Sequence, residues 1–103
     1  MTTTYENQMV MIRSYAAGVQ FGTLVKRTDL LAGLSVTLKN ARRVYYWAGA
    51  ASLSQLAMEG STQMKDCKIS MVVDEIEIMQ VIEIIPLTKK AIANLNNIPE
   101  WKK

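Results

Sequence analysis

Short stretches of alternating apolar and polar residues dominate the first half of the chain. In residues 34–39, leucine and valine alternate with serine, threonine and lysine, which is the period of a strand with one buried face. Residues 9–16 and 19–27 are rich in side chains that favour strands, and Ala17 with Gly18 predicts the turn between them. Gly22 predicts a bulge, or a place where another backbone or a ligand comes close, and we favour the bulge.

A break is predicted at Asn40 and Ala41, after which residues 42–47 alternate again. In a regular strand, neighbouring side chains point to opposite faces, so Arg42 and Arg43 are expected on opposite sides of the sheet. Both guanidiniums could reach one phosphate only if Asn40 and Ala41 form a bulge or turn, or if two copies of the chain share the site.

Two short helices are predicted. Ser52 and Gln55 form a capping-box pattern at the start of residues 52–60, and Gly60 can end that helix in the left-handed conformation. Thr88 can cap a second short helix, which ends at residues 96–97.

Residues 68–73 and 74–85 are predicted strands. The second has an apolar face and an acidic face, although residues 78, 81, 82 and 85 also have helical spacing. The abundance of β-branched residues and the closing Pro86 favour a strand. The predicted apolar face consists of Ile76, Ile78, Ile82 and Ile84.

These elements predict an α+β fold. We expect a twisted, mostly antiparallel sheet of five or six strands that could curl toward a barrel, with a short central helix and a short C-terminal helix. The length of 103 residues and the hydrophobic content of 50% indicate one domain, over residues 9–103, after a flexible N-terminus at residues 1–8.

The composition excludes several classes of enzyme. The chain has no histidine and one cysteine, Cys67, so it offers neither a cysteine–histidine pair, nor an internal disulfide, nor a conventional zinc site. It also has no phosphate-cradling glycine loop and no nucleophile elbow. The carboxylates on residues 74, 75, 77 and 83 are explained as the solvated face of a strand rather than a metal site. We expect a binding protein without catalysis or cofactor.

Charge and hydropathy limit the classes of partner that the chain can have. A net charge of +3, from 12 basic and 9 acidic residues, suits a small anionic ligand better than a long duplex. Apolar runs are too short for a membrane span, and the N-terminus lacks the pattern of a signal peptide, so we expect a cytosolic protein.

Candidate chemistry concentrates in residues 40–60. Arginine forks can hold a phosphate, aromatic rings can stack on a base, and a helix start can hold an anion. An amphipathic strand and a capped helix explain the same residues without a ligand. The candidate ligand-binding residues are Asn40, Arg42, Arg43, Tyr45, Tyr46, Trp47, Ser52 and Ser54.

Residues 38–57 match the pattern Leu-x-Asn-Ala-Arg-Arg-x-x-Tyr-Trp-x-Gly-Ala-x-Ser-Leu-Ser-Gln-Leu-Ala. With residues 12–19 and 81–86, this pattern resembles a family of short phage-encoded proteins described as a domain of unknown function, and the resemblance covers nearly the whole chain. It implies a phage source and, with it, the host cytoplasm. Small phage proteins of this kind often sequester nucleotide second messengers of host defence. By that analogy we expect sequestration of a cyclic nucleotide or ADP-ribose derivative.

Two alternatives stay open. The chain could be a phage structural protein or bind a host protein, and less favoured is a binder of single-stranded nucleic acid. A homo-oligomer is expected because several apolar side chains fall at positions predicted to be exposed. They are Leu30, Leu31, Met79, Val81 and Ile85. Trp101 is expected to anchor the tail by packing.

Overall fold

The computed structural model describes residues 5–31 and 33–101, so Ala32 and the first four residues of the predicted flexible N-terminus lie outside the described chain. The described residues form one five-stranded antiparallel sheet and two short helices, which confirms the predicted α+β class. The strands are β1 (Met9–Ser14), β2 (Gly18–Leu30), β3 (Gly33–Tyr46), β4 (Lys68–Ile69) and β5 (Val73–Pro86), and the helices are α1 (Leu53–Glu59) and α2 (Lys89–Asn96).

Four of these strands pair in a ring. β1 pairs with β2 and β5, and β3 also pairs with β2 and β5, so each of the four has a partner on both sides. β2, β3 and β5 have 13 or 14 residues each, long enough for one strand to contact different partners along its length. The short β4 adds to the end of β3, and Glu100 pairs with Ile69 of β4 in parallel.

The apolar residues form two cores on opposite sides of this sheet. Along β1, Val10 and Ile12 face the interior of the ring, whereas Met11 faces the helices. We call the first cluster the ring core; its buried members are Val10, Ile12, Leu24, Val36, Leu38, Ala41, Ile78 and Val81. We call the second the helix core; its buried members are Met11, Phe21, Val44, Leu56, Ala57, Cys67, Ile69, Ala91, Leu95 and Ile98.

The predicted strand break at Asn40 and Ala41 is wrong, because β3 continues through both residues. The pairing of β3 with β2 shifts at Gly22, and Asn40 takes a φ of 53° to accommodate the extra residue on β3. A Cβ added at Gly22 would lie 3.0 Å from the Ala41 Cα and from the Lys39 carbonyl oxygen. Gly22 therefore marks both a bulge and a close backbone approach.

The predicted apolar face of β5 is wrong at Ile82, which is 57% exposed. Two register shifts, one at Gln80 with a φ of 55° and one beyond Val81, each add a residue and reverse the alternation. Val81 consequently enters the ring core between Ile78 and Ile84.

Two of the five apolar residues expected at the surface are buried or partly buried. Val81 belongs to the ring core, and Ile85 packs against the helix core. Leu30, Leu31 and Met79 do lie on the surface, 56%, 111% and 61% exposed.

Both helices begin as predicted. The Ser52 hydroxyl accepts from the Gln55 N–H at 3.1 Å, and the Gln55 side chain accepts from the Ala51 N–H at 2.7 Å. The Thr88 hydroxyl accepts from the Ala91 N–H at 3.1 Å. Over the described part of the chain, neither helix has the length and apolar character needed to cross a membrane.

We predict that Gly22→Ala destabilises the protein by about 1–3 kcal/mol, because the new methyl group must displace backbone atoms of β3. Urea unfolding followed by circular dichroism measures this change. Gly18→Asn is the control, since nothing lies within 4 Å of a Cβ there and asparagine tolerates its φ of 76°. Equal stability of Gly22→Ala and the parent would contradict the close approach.

Candidate ligand-binding cleft

Arg42 and Arg43 lie on opposite sides of β3, as alternation requires. Arg42 is 4% exposed, and its side chain lies on the side of the sheet that packs against the helix core. Its Nε donates to the Ser70 carbonyl at 2.8 Å, and its Nη1 donates to the Leu95 carbonyl at 3.1 Å. Burial lowers the pKa of the Arg42 guanidinium from its ordinary value, and the Glu100 carboxylate opposes that shift.

These contacts give Arg42 a structural role. Leu95 lies in the last turn of α2, where carbonyls carry partial negative charge that favours a cation, and its carbonyl also accepts from the Ile98 backbone N–H at 3.3 Å. The guanidinium therefore ties the end of α2 to β3 and to the segment after β4. Its Nη2 has no hydrogen-bond partner in the described residues.

Arg43 has a different environment. Its side chain is partly buried, and in the part of the chain that the structure describes its guanidinium makes no hydrogen bond or salt bridge. Arg43 pairs with Gln20 of β2, so both side chains lie on the ring side of the sheet. This arginine is therefore available to a ligand.

Arg43 lines a cleft of about 300 Å³ at one end of the ring. Among the described lining residues it is the only charged one, so no lining carboxylate competes for its guanidinium. Apolar side chains from β3, β5 and the segment before β5 form most of the remaining wall. The lining residues are Gln20, Ala41, Arg43, Tyr45, Ser70, Met71, Val73 and Ile76.

Tyr45 contributes an aromatic ring to the cleft and is 54% exposed. The Trp101 ring contacts it edge-on, with centroids 5.4 Å apart and planes at 60°. The Lys68 ammonium lies 5.3 Å from the Trp101 centroid. The backbone N–H of Trp101 donates to the Ile69 carbonyl at 2.8 Å and holds the tail against β4, while the indole ring packs against Tyr45.

Ser70 connects the cleft to both arginines. Its hydroxyl accepts from the Arg43 backbone N–H at 2.9 Å and donates to the Met71 carbonyl at 2.8 Å. Its own carbonyl accepts from the Arg42 side chain at 2.8 Å. Arg42 thus positions a residue of the cleft without reaching the cleft itself.

Gln20 is the unusual member of the lining. It is 2% exposed, and its amide Nε2 has no hydrogen-bond partner in the described chain. Leaving a buried amide unpaired costs about 1–3 kcal/mol, which makes such groups rare in folded proteins.

The other candidate residues lie elsewhere. Asn40 is exposed at the bulge of β3, Ser54 is exposed on α1, and Ser52 caps that seven-residue helix. Tyr46 and Trp47 line, together with Tyr45, a more open depression of about 270 Å³. The Trp47 indole N–H donates to the Ala50 carbonyl at 3.2 Å, so it is engaged within its own loop.

The structure therefore brings together Arg43 and Tyr45 and leaves the remaining six candidates outside the cleft. Gln20 and Ser70, which the sequence did not single out, complete its polar lining. One signal was present: Gln20 is a polar side chain near the start of β2, between the apolar Val19 and Phe21.

The described lining of the cleft offers none of the usual groups for proton transfer. Its polar side chains are an arginine, a glutamine, a serine and a tyrosine, none of which is a base near neutral pH without activation. Within the described residues, no three acidic or cysteine side chains are grouped in a way that could hold a metal ion. The arrangement can bind an anion and stack on a flat ring.

Comparison with known proteins identifies the family. A family model described as a domain of unknown function, DUF6948, matches residues 7–95, and the chain belongs to this family. No curated protein and no solved structure matches the chain significantly.

We predict that Arg42 stabilises the fold, whereas Arg43 contributes little to stability and is available for binding. Arg42→Met should lower the free energy of unfolding by about 1–3 kcal/mol, because it leaves two carbonyls without their charged donor. Arg43→Met should change it by about 0.5 kcal/mol or less, since no side-chain hydrogen bond or ion pair to a described residue is lost. Chemical denaturation of both variants measures the difference, and equal losses would contradict the structural role of Arg42.

Proposed function

We propose that this member of the DUF6948 family is a non-catalytic binding protein for a small phosphate-bearing nucleotide. The observation that carries the proposal is one cleft that combines an exposed tyrosine ring with an arginine whose guanidinium has no hydrogen-bond or ion-pair partner among the described residues. Arg43 would hold the phosphate in two-point geometry, and Tyr45 would supply a face for the base.

The protein scaffold supports this use of both side chains. Arg43 lies within β3, whose neighbours on either side are hydrogen-bonded strands, and its own N–H is bound by Ser70. Tyr45 is oriented by the Trp101 ring. The Arg43 backbone and the Tyr45 ring are thus held in place before the ligand arrives, so they lose less conformational freedom on binding, which favours affinity.

The chemistry of the described lining supports binding without turnover. Phosphodiester hydrolysis near neutral pH requires a positioned base or a metal-activated water. The chain has no histidine, and the cleft presents no carboxylate among its described lining residues. We therefore propose retention of the ligand rather than its hydrolysis.

Sequestration of a host signal is the biological role that we propose for such retention. The proposal takes this step from the sequence resemblance to phage proteins, which would place the protein in the cytoplasm of an infected cell. A cyclic nucleotide or an ADP-ribose derivative bound there would be withdrawn from host defence.

Self-association is a second proposed property, and the hairpin between β2 and β3 supports it. Leu31 projects fully from this hairpin, and beside it lies an apolar cavity of about 300 Å³. Leu30, Leu34 and Met79 contribute to the lining of this cavity. In a two-fold dimer, the Leu31 side chain of each copy can fill the cavity of the other copy. The same surface would serve a structural or host-binding role.

For ligand binding, we predict that Arg43→Ala weakens affinity ten- to a hundredfold, equivalent to about 1.5–3 kcal/mol for a charge-assisted contact. Arg43→Lys should recover part of the loss, because it keeps the charge but not the fork. The measurement is calorimetric titration with cyclic nucleotides and ADP-ribose, followed by mass spectrometry of ligand released from denatured protein.

Lys39→Ala is the matched control, since Lys39 is an exposed cation of β3 that does not line the cleft. It should bind like the parent. Unchanged binding by Arg43→Ala would place the site elsewhere, and release of a hydrolysed product would make the protein an enzyme. Preference for a short single-stranded oligonucleotide would favour the nucleic-acid alternative.

For self-association, we predict that light scattering detects a dimer at concentrations on the order of tens of micromolar, where even weak association becomes visible. Leu31→Ser should shift the protein toward monomer without loss of stability, because the side chain makes no buried contact within its own chain. Tyr15→Ser is the control, as Tyr15 is 82% exposed and does not line the cavity. A strict monomer would remove the proposal.

A further inference from the structure

The buried amide of Gln20 limits which nucleotides the cleft can bind. This inference rests on the function proposed above. Gln20 pairs with Ile12 of β1 and with Arg43 of β3. Since residues directly opposite each other in antiparallel strands share a face, the glutamine side chain lies among the ring core and on the same side as Arg43. The cleft is thus an open end of the ring interior.

The walls around this amide suit a flat heteroaromatic ring. Ala41 belongs to the ring core, Ile76 packs against it, and both line the cleft. The Gln20 Nε2 atom is closed off from solvent, so a ligand in the cleft reaches it only when the amide rotates toward the cleft. A ligand that then accepts its hydrogen bond removes a buried donor with no partner among the described residues, which discriminates strongly between ligands. A ring nitrogen or carbonyl oxygen on a nucleobase edge is such an acceptor.

The size of the cleft limits the ligand. A volume of about 300 Å³ lies at the lower end of the range for small-molecule sites, roughly 300–1,000 Å³. This space takes one base with its sugar and phosphate. A cyclic dinucleotide, which has two bases and two phosphates, would leave half of its structure outside.

We propose that the cleft recognises a single mononucleotide, linear or 3′,5′-cyclic, whose base edge accepts a hydrogen bond from the Gln20 amide while Arg43 holds its phosphate. Tyr45 lines the same cleft and covers the base from the solvent side. Gln20 then determines which base is preferred, and Arg43 supplies affinity that is independent of the base.

The test is calorimetric titration of the purified protein with the four nucleoside 5′-monophosphates, 3′,5′-cyclic AMP, ADP-ribose and cyclic di-AMP. The parent should bind at least one mononucleotide about tenfold or more tightly than cyclic di-AMP. Gln20→Met keeps the side-chain length and removes the donor, so it should lower that affinity about tenfold and reduce the differences among bases. Gln63→Met is the control, because Gln63 is exposed and does not line the cleft.

Thermal unfolding of Gln20→Met distinguishes a binding role from a structural one. The variant should be at least as stable as the parent, because it loses an unpaired donor and no hydrogen bond. Unchanged mononucleotide affinity in a stable Gln20→Met protein would overturn the inference, as would tighter binding of cyclic di-AMP or ADP-ribose. Those results would leave the proposed nucleotide-binding function standing, whereas no binding by any compound in the panel would remove the function itself.

Discussion

Closure of four strands into a ring is the constraint on which the rest of this structure depends. Every strand of the ring is hydrogen-bonded on both sides, so a position that faces the interior on one strand must match interior positions on both neighbours. Regular alternation alone does not satisfy these pairings. The bulge opposite Gly22, a second shift between Leu24 and Lys26 of β2 and the two shifts in β5 restore the match, and such bulges also bend strands.

The sequence predicted the type of each long element better than its register. In β5, Ile76 and Ile78 follow ordinary alternation into the ring core, whereas Ile78, Val81 and Ile84 are spaced by three residues because a register shift separates each pair. That spacing imitates one face of a helix, and the β-branched composition and the closing Pro86 indicated a strand. The exposure of Ile82 could not be foreseen, since alternation within one strand contains no information about where its partners shift.

The sequence likewise predicted only part of the candidate cleft. Alternation along residues 42–47 separated the two arginines correctly, but it could not tell which of the two sides would be covered by helices. That outcome depends on α2 and the tail, which lie far from β3 in the sequence and reach Arg42 through Leu95. Gln20 and Ser70 come to the cleft from two other segments, and only the strand pairing brings them beside Arg43.

Arg42 and Arg43 are adjacent and lie on opposite sides of β3, so changes in the length of the chain next to them are restricted. Insertion of one codon between Ala41 and Arg42 would exchange the sides of the two guanidiniums, so the cation that holds α2 would point into the cleft and its neighbour into the helix core. A length change in this stretch would therefore damage folding and ligand recognition in a single event. The open turns between strands accept such changes at lower cost, and we expect natural insertions and deletions to concentrate there.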